Sequence, residues 1–269
     1  MNPAPSPVPP WAPPLLALQF LTRIPVPLLD RLDGAQVPAG LVRAVGWFPL
    51  VGTLIGAVTA AAVLGLAQFL PLAVAVILAL MIEARLTGAF HEDAVADFCD
   101  AFGGGYTDED VRRIMKDSRI GSYGALGLGL AVALRAALLM SLPVADDPLR
   151  AGAAIVASAC FARAVVVAAM ALIPPAVAGT GLAKDIGSAV SARTLVMGAL
   201  TAFPALAAFA LLDGGALMAA ALAAGVFLIW LRGMLLRWIG GSTGDCLGFA
   251  AYGGQLILLL AVATLSRGG

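Results

Sequence analysis

The sequence predicts an all-α fold: a polytopic integral membrane helix bundle of about seven transmembrane helices, with short interfacial and cytoplasmic helices beside them. Three observations lead there. The 269 residues are 61% hydrophobic and 12% charged, with a mean hydropathy of +0.98; soluble domains carry about 25% charged residues. Apolar runs of bilayer-spanning length recur along the whole chain. The charges that remain are gathered, with nine of the sixteen acids, five of the sixteen bases and the single histidine inside 83–124. A formal net charge of zero leaves no basic surface for nucleic acid. Cys99, Cys160 and Cys246 are too dispersed for a disulfide framework or a zinc motif and read as small apolar fillers.

In chain order, residues 1–14 carry no Lys or Arg and are rich in proline, which reads as a flexible leader rather than a secretory signal. Residues 11–27 hold an apolar run too short to span, so a short interfacial helix is expected. Its Arg23 has two readings, a headgroup-facing charge or an anion ligand near the site. Spans are predicted over 46–69, 72–89, 123–142, 152–173, 194–212, 216–231 and 250–265. Pro71 divides the first two. Glu83 and Arg85 lie in the last turns of the second, where charged side chains can snorkel outward. Asp213, Gly214 and Gly215 form a tight turn between the fifth and sixth. The whole chain, 1–269, reads as one membrane-embedded catalytic domain, with 90–122 as its polar segment.

Orientation follows from the bases. With seven spans, the side holding the polar stretch carries twelve of the sixteen: Arg23, Arg31, Arg43, Arg85, Arg112, Arg113, Lys116, Arg119, Lys184, Arg193, Arg232 and Arg237. The other side carries Arg150 and Arg267, while Arg135 and Arg163 fall within spans. The polar stretch and the loops at 174–193 and 232–249 should therefore face the cytoplasm.

The sharpest chemical feature is HEDAVADFCD, 91–100. On a helix, Asp93, Asp97 and Asp100 fall at about 0°, 40° and −20°, one narrow stripe. Bare carboxylates so placed repel, and a hard divalent cation such as Mg²⁺ or Mn²⁺ removes that cost. The bland alternative is a solvated acidic face, but the intervening residues are apolar. His91 points away from the stripe, as a structural hydrogen-bonder or a substrate contact. Gly103–Gly105 should end this helix, and Thr107 should cap a new one whose first turn holds Asp108, Glu109 and Asp110. In that helix Arg112, Lys116 and Arg119, spaced i, i+4, i+7, predict a cationic stripe suited to phosphate. Arg113 fits positive-inside anchoring instead.

A second constellation is GGSTGD, 240–245. Its glycines allow close approach to an anion, Ser242 and Thr243 offer hydroxyls, Gly244 offers backbone, and Asp245 adds a carboxylate. Such loops also simply turn chains. Arg163, within a span, either reaches phosphate or pairs with a buried acid; Arg135 has the same two readings.

These residues carry a resemblance. FLTRIPVP (20–27), FPLVGTLIGA (48–57), LTGAFHEDAVADFCDAFGGG (86–105), RRIMKDSRIGSYGALGL (112–128) and GGSTGDCLGFA (240–250) together resemble the cobalamin synthase family, the adenosylcobinamide-GDP ribazoletransferases, in order along nearly the full chain. Ala94 stands where that family would be expected to carry glycine. The resemblance implies a Mg²⁺-dependent membrane transferase joining adenosylcobinamide-GDP to α-ribazole or its 5′-phosphate and releasing GMP. It implies Asp93, Asp97, Asp100 and Asp245 as metal ligands, with Glu92 a further candidate. Asp100 would serve as base, Lys116 and Arg119 would neutralise the leaving group, and His91, Arg112, Arg163, Ser242, Thr243 and Gly244 would contact substrate. Homo-oligomerisation is possible. Two rivals remain, a CDP-alcohol-type phosphotransferase on a lipid alcohol and a transporter using the stripe as a cation site. The first needs a D-G-x-x-A-R…G-x-x-x-D-x-x-x-D pattern this chain lacks. The second predicts inverted repeats, and no second HED block is present.

Overall fold

The computed structural model describes residues 7–117, 119–176 and 190–265. Positions 1–6 of the expected leader, Ser118, the 177–189 stretch with Lys184, and 266–269 with Arg267 lie outside the described residues. The helices are α1 (Ala12–Leu21), α2 (Gln36–Ala44), α3 (Phe48–Leu66), α4 (Leu72–Thr87), α5 (Phe90–Gly104), α6 (Asp108–Ile114), α7 (Ser122–Met140), α8 (Pro148–Leu172), α9 (Ala192–Trp238) and α10 (Gly244–Leu265). Two 3₁₀ turns, Pro27–Arg31 and Val45–Trp47, flank α2. No strand occurs among the described residues beyond one bridge between Pro175 and Ser242.

Five helices are long and apolar enough to cross a membrane, and α4 with α5 would add a sixth if that bent pair is one span. One of the five, the 47-residue α9, is not straight: Asp213 has non-helical backbone angles (φ −153°, ψ 68°). Its contacts with α8 show where it goes. Cys160 lies against Ala202, Arg150 pairs with Asp213 at 2.6 Å, and Arg232 bonds the Leu172 carbonyl at 3.0 Å. The chain thus runs along α8 to its start and returns to its end, so α9 is a helical hairpin. The turn expected at 213–215 sits at the Asp213 break. The expected count of seven is reached only with the hairpin counted as two crossings and the bent α4–α5 pair as one.

The centre of the bundle is α8, whose apolar stretch is 72% buried against 17% for α9. Local chemistry starts it: the Asp147 side chain accepts from the Arg150 N–H at 3.0 Å and Pro148 takes the first turn, where its missing N–H costs nothing. Small residues then let α3 lie close. A Cβ at Gly56 would come within 2.8 Å of the Val156 Cα, and one at Gly52 would run into the Ala159 carbonyl. This is small-residue packing of the kind lipid-embedded helices use, because apolar side chains alone drive little association there. Around α8 pack α3, α9 and α10, and the core continues to α4, α5 and α7. A second cluster joins α1, α2, the start of α3 and the end of α8; α1 buries Ala12, Leu16, Ala17 and Leu21 in it.

The element that positions the site is the joint between α4 and α5, where the chain bends by 91°. Gly88 (φ 74°) and Ala89 (φ 55°) are both left-handed. Glycine takes that conformation freely, whereas alanine pays about 1–2 kcal/mol. The joint is braced by the Arg23 N–H, which donates to the Leu86 carbonyl at 2.7 Å, and a Cβ on Gly88 would collide with the Arg23 guanidinium. Beyond the joint, α5 lies across the N-terminal ends of α7 and α10: Gly124 and Gly127 face Asp100 and Cys99, Ala94 sits on Gly248, and Phe98 stacks on Phe249 at 3.7 Å.

Candidate active site

Four carboxylates on α5 meet three different fates. Glu92 turns inward, to Arg135 of α7 at 3.5 Å. Arg135 also grips Glu83 of α4 at 2.6 Å, and Glu83 in turn accepts from the Thr59 hydroxyl of α3 at 2.6 Å. Arg135 and Glu83 are buried, and the guanidinium lies 5.7 Å from the Tyr252 ring of α10. This knot ties five helices together. Two sequence expectations change here. Glu83 does not snorkel outward, because a cation of opposite sign is available inside. Glu92 is spent on that same cation rather than standing with the other acids.

Asp100 is spent as well. Its two carboxylate oxygens accept from the backbone N–H groups of Gly121 at 2.6 Å and Gly124 at 2.8 Å. These are orphan donors at the start of α7, so Asp100 caps that helix from outside its own chain segment. Side chains at 121 or 124 would strike the carboxylate, so both glycines are required for the approach.

Asp93 and Asp97 remain, and Asp245 in the first turn of α10 joins them. None of the three takes part in an ion pair among the described residues, whereas Asp110, Asp117, Asp213, Glu83 and Glu92 all do. The mutual repulsion is felt at Asp97: partial burial, then Asp93, Asp245 and Asp100, push its carboxyl up to about 6. Three unneutralised carboxylates from two helices form a hard-oxygen donor set suited in kind to Mg²⁺. As the side chains stand, no three acid, His or Cys groups among the described residues converge on one point that could hold an ion.

The predicted cationic stripe does not form. The helix begins as expected, with Thr107 accepting from the Asp110 N–H at 3.1 Å, but it ends at Ile114 after two turns. Lys116 and Arg119 therefore lie in the loop to α7 and share no helix face with Arg112. Arg119 folds back on Asp117 at 2.7 Å and holds that carboxyl down at about 2. Arg112 and Lys116 are exposed and in no ion pair among the described residues. Arg113 pairs with Asp110 at 3.0 Å.

The GGSTGD loop is braced rather than open. Ser242 donates its N–H to Pro174 at 2.8 Å and accepts at its carbonyl from Ala176 at 3.0 Å, with its hydroxyl on the Pro174 carbonyl at 3.4 Å. The Thr243 hydroxyl lies 3.3 Å from the Met115 sulfur and accepts from the Cys246 N–H at 3.4 Å. Gly244 opens α10 beside Asp245. On the inner side of α5, His91 is buried with its Nδ1 3.4 Å from a terminal nitrogen of Arg163. Arg163 is 2% exposed and donates to the Ala159 carbonyl at 3.3 Å; among the described residues it contacts no carboxylate and its Nε has no hydrogen-bond partner. The pairing alternative for Arg163 is thus not what the structure shows, while for Arg135 it is.

Comparison with known proteins fits this arrangement. The cobalamin-5-phosphate synthase family matches residues 13–263. The chain belongs to that family. An adenosylcobinamide-GDP ribazoletransferase of Ralstonia pickettii is 39% identical over 247 residues, covering 90% of this chain and 91% of the relative. Proteins of the same name are 38% identical over 257 residues in Azorhizobium caulinodans (93% and 95% covered) and 40% identical over 238 residues in Shewanella frigidimarina (87% and 87%). No solved structure matches the chain.

In this synthase family member the sequence offered Asp93, Asp97, Asp100, Asp245 and Glu92 together as acids; the structure sets Asp245 near Asp93 and Asp97 and gives Glu92 and Asp100 other partners. The sequence reading also missed the Glu83–Arg135 pair as a unit. The signal was present, since one acid and one base on neighbouring apolar helices are costly apart and cheap together.

Proposed function

We propose that the protein is the adenosylcobinamide-GDP ribazoletransferase of its host, a multi-pass enzyme of the bacterial inner membrane with its site facing the cytoplasm. The observation that carries this is the cluster Asp93, Asp97 and Asp245, in no ion pair among the described residues, at one end of a bundle that matches the family over residues 13–263. The excess of bases on the loops of that end supports the cytoplasmic orientation. The full match to relatives bearing this activity's name favours it over lipid-alcohol transfer or ion transport.

In this reading a ribose hydroxyl of α-ribazole, free or 5′-phosphorylated, attacks the phosphorus next to the corrinoid. The new P–O bond forms as the bond to GMP breaks, the hydroxyl proton passes to a carboxylate of the cluster, and GMP leaves. Asp93, Asp97 and Asp245 would hold Mg²⁺, which supplies charge neutralisation on the phosphoryl oxygens. Arg112 on α6 and Lys116 on the loop after it, in no ion pair among the described residues, would take the charge of the departing GMP; Arg119 would first have to release Asp117. Asp100 holds the start of α7 rather than serving as base, because both of its oxygens are already engaged. The Glu83–Arg135–Glu92 knot fixes the root of α5 and so aims the acids.

The test uses purified protein in detergent with adenosylcobinamide-GDP, α-ribazole 5′-phosphate and Mg²⁺. GMP and the corrinoid product should appear together, and Asp97→Asn should abolish both while remaining folded. Folded wild type that releases no GMP would sink the reading.

A further inference from the structure

A cleft of about 600 Å³ opens where the start of α6 faces the end of α9, lined by Tyr106, Thr107, Asp108, Glu109, Arg237 and Trp238. A cavity of about 150 Å³ holds one benzene ring, so the cleft has room for a purine base with its ribose. Tyr106 is 86% exposed, an open ring face on which a base can stack. The Arg237 guanidinium lies 5.9 Å from the Trp238 ring. Asp108, Glu109 and Arg237 are exposed and in no ion pair among the described residues. The Thr107 hydroxyl is already spent on Asp110, so the two acids and the arginine are the polar groups left to meet a ligand.

Both walls of the cleft lead to the acidic cluster. On one side α5 carries Asp97 and ends at Gly104, about 10 Å further along at 1.5 Å per residue, just before Tyr106. On the other side Trp238 closes α9, and the chain turns through 240–243 to Asp245. The Thr243 hydroxyl, 3.3 Å from the Met115 sulfur, ties that turn to the loop after α6. The cleft thus stands about a nucleotide's length from Asp97, and Arg112 shares the short helix of Asp108 and Glu109. The mix of groups also selects among bases. Guanine presents a ring N–H beside an amino group, two donors that one carboxylate can take together, and an O6 beside N7, two acceptors that one arginine can take together. Adenine has no such pair of adjacent donors, and the base of α-ribazole has no donor at all. The two acids also disfavour the anionic lipid headgroups that a tryptophan and an arginine alone would suit.

We infer that this cleft seats the guanine of adenosylcobinamide-GDP, with Asp108 or Glu109 accepting from its ring N–H and amino group, Arg237 donating to O6 and N7, and the Tyr106 ring stacked on the base. The inference rests on the proposed reaction for the identity of the nucleotide. The phosphates would then run from the cleft past Arg112 toward Asp97, so the departing GMP is held at its base as well as at its charge.

The test uses full-length protein in detergent with Mg²⁺ and reads binding apart from turnover. In equilibrium dialysis GMP should bind at least about tenfold more tightly than IMP, which lacks the amino group and so breaks the paired contact with a carboxylate. Tyr106→Ala should weaken GMP about tenfold, the scale of one lost base stack. Asp108→Asn combined with Glu109→Gln should shrink the preference for GMP over IMP to about twofold. In the assay the same variants should raise the KM for adenosylcobinamide-GDP and move the KM for α-ribazole 5′-phosphate less than about twofold. The side chains changed are exposed, so the unfolding midpoint should hold. IMP bound as tightly as GMP by the wild type, or variants that leave both GMP binding and the KM for adenosylcobinamide-GDP intact, overturns the assignment. A GMP preference that the variants erase, in a wild type that makes no corrinoid product, would refute the reaction and leave the guanine site standing.

Discussion

Glu92 and Asp93 are neighbours in sequence and live in opposite electrostatic settings. Glu92 belongs to a buried knot in which Arg135 answers two carboxylates and Thr59 answers a third contact. Asp93 belongs to a cluster in which three carboxylates face one another and, among the described residues, no cation pairs with them. The first arrangement is complete within the protein and serves its architecture. The second is incomplete and calls for a charge from outside. In a chain with so few ionisable groups, neutralisation within the fold separates structural from chemical acids better than position or spacing does.

The comparison can be broken most forcefully at its structural end. Arg135→Leu leaves the buried Glu83 and the half-buried Glu92 without their cation, and should cost about 3–5 kcal/mol, read as a large fall in the thermal unfolding midpoint in detergent. A fall of only a degree or two would show that the knot is not structural. Asp97→Asn should do the reverse: GMP release drops at least about 100-fold, the scale set by disturbing metal shells. The unfolding midpoint should hold or rise, because the change removes repulsion. A matching loss of stability would place Asp97 with the architecture.

Metal sharpens the same contrast. At about 100 times its dissociation constant Mg²⁺ should stabilise the wild type by about 2.7 kcal/mol. Chelation should remove that gain together with turnover, and Asp93→Asn or Asp245→Asn should show neither effect. Asp100→Ala, which strips a cap from α7, should cost about 1–2 kcal/mol while leaving the Mg²⁺ stabilisation in place. Smallest of all, Arg113→Ala breaks an exposed pair with Asp110 and should leave the thermal unfolding midpoint where it is; a clear fall would show that the pair is structural.

Much of the fold was legible because hydropathy and turn chemistry act locally. The long apolar helices, the reversal at Asp213, the glycine end of α5 and the Thr107 cap all follow from residues within a few positions of one another. The cationic stripe failed for the same reason: periodicity extended a helix through Lys116 and Arg119, and the Asp117–Arg119 contact lies in the loop after a two-turn helix. The sorting of the acids was not legible, since it depends on what faces each one. Gly121 and Gly124 claim Asp100 from 21 and 24 residues away, and Arg135 claims Glu83 from 52. The cleft beside Tyr106 was out of reach too, because its walls come from 106–109 and from the end of α9.

The bond between Arg150 and Asp213 joins positions 63 residues apart on the face opposite the acids. During synthesis it can close only after the first half of α9 has crossed. A hairpin inserted one turn too deep or too shallow would drag the Asp213 carboxylate into hydrocarbon or lift it away from Arg150. The pair thus works as a depth gauge for biogenesis, checking the register of the most lipid-exposed helices against the most enclosed one.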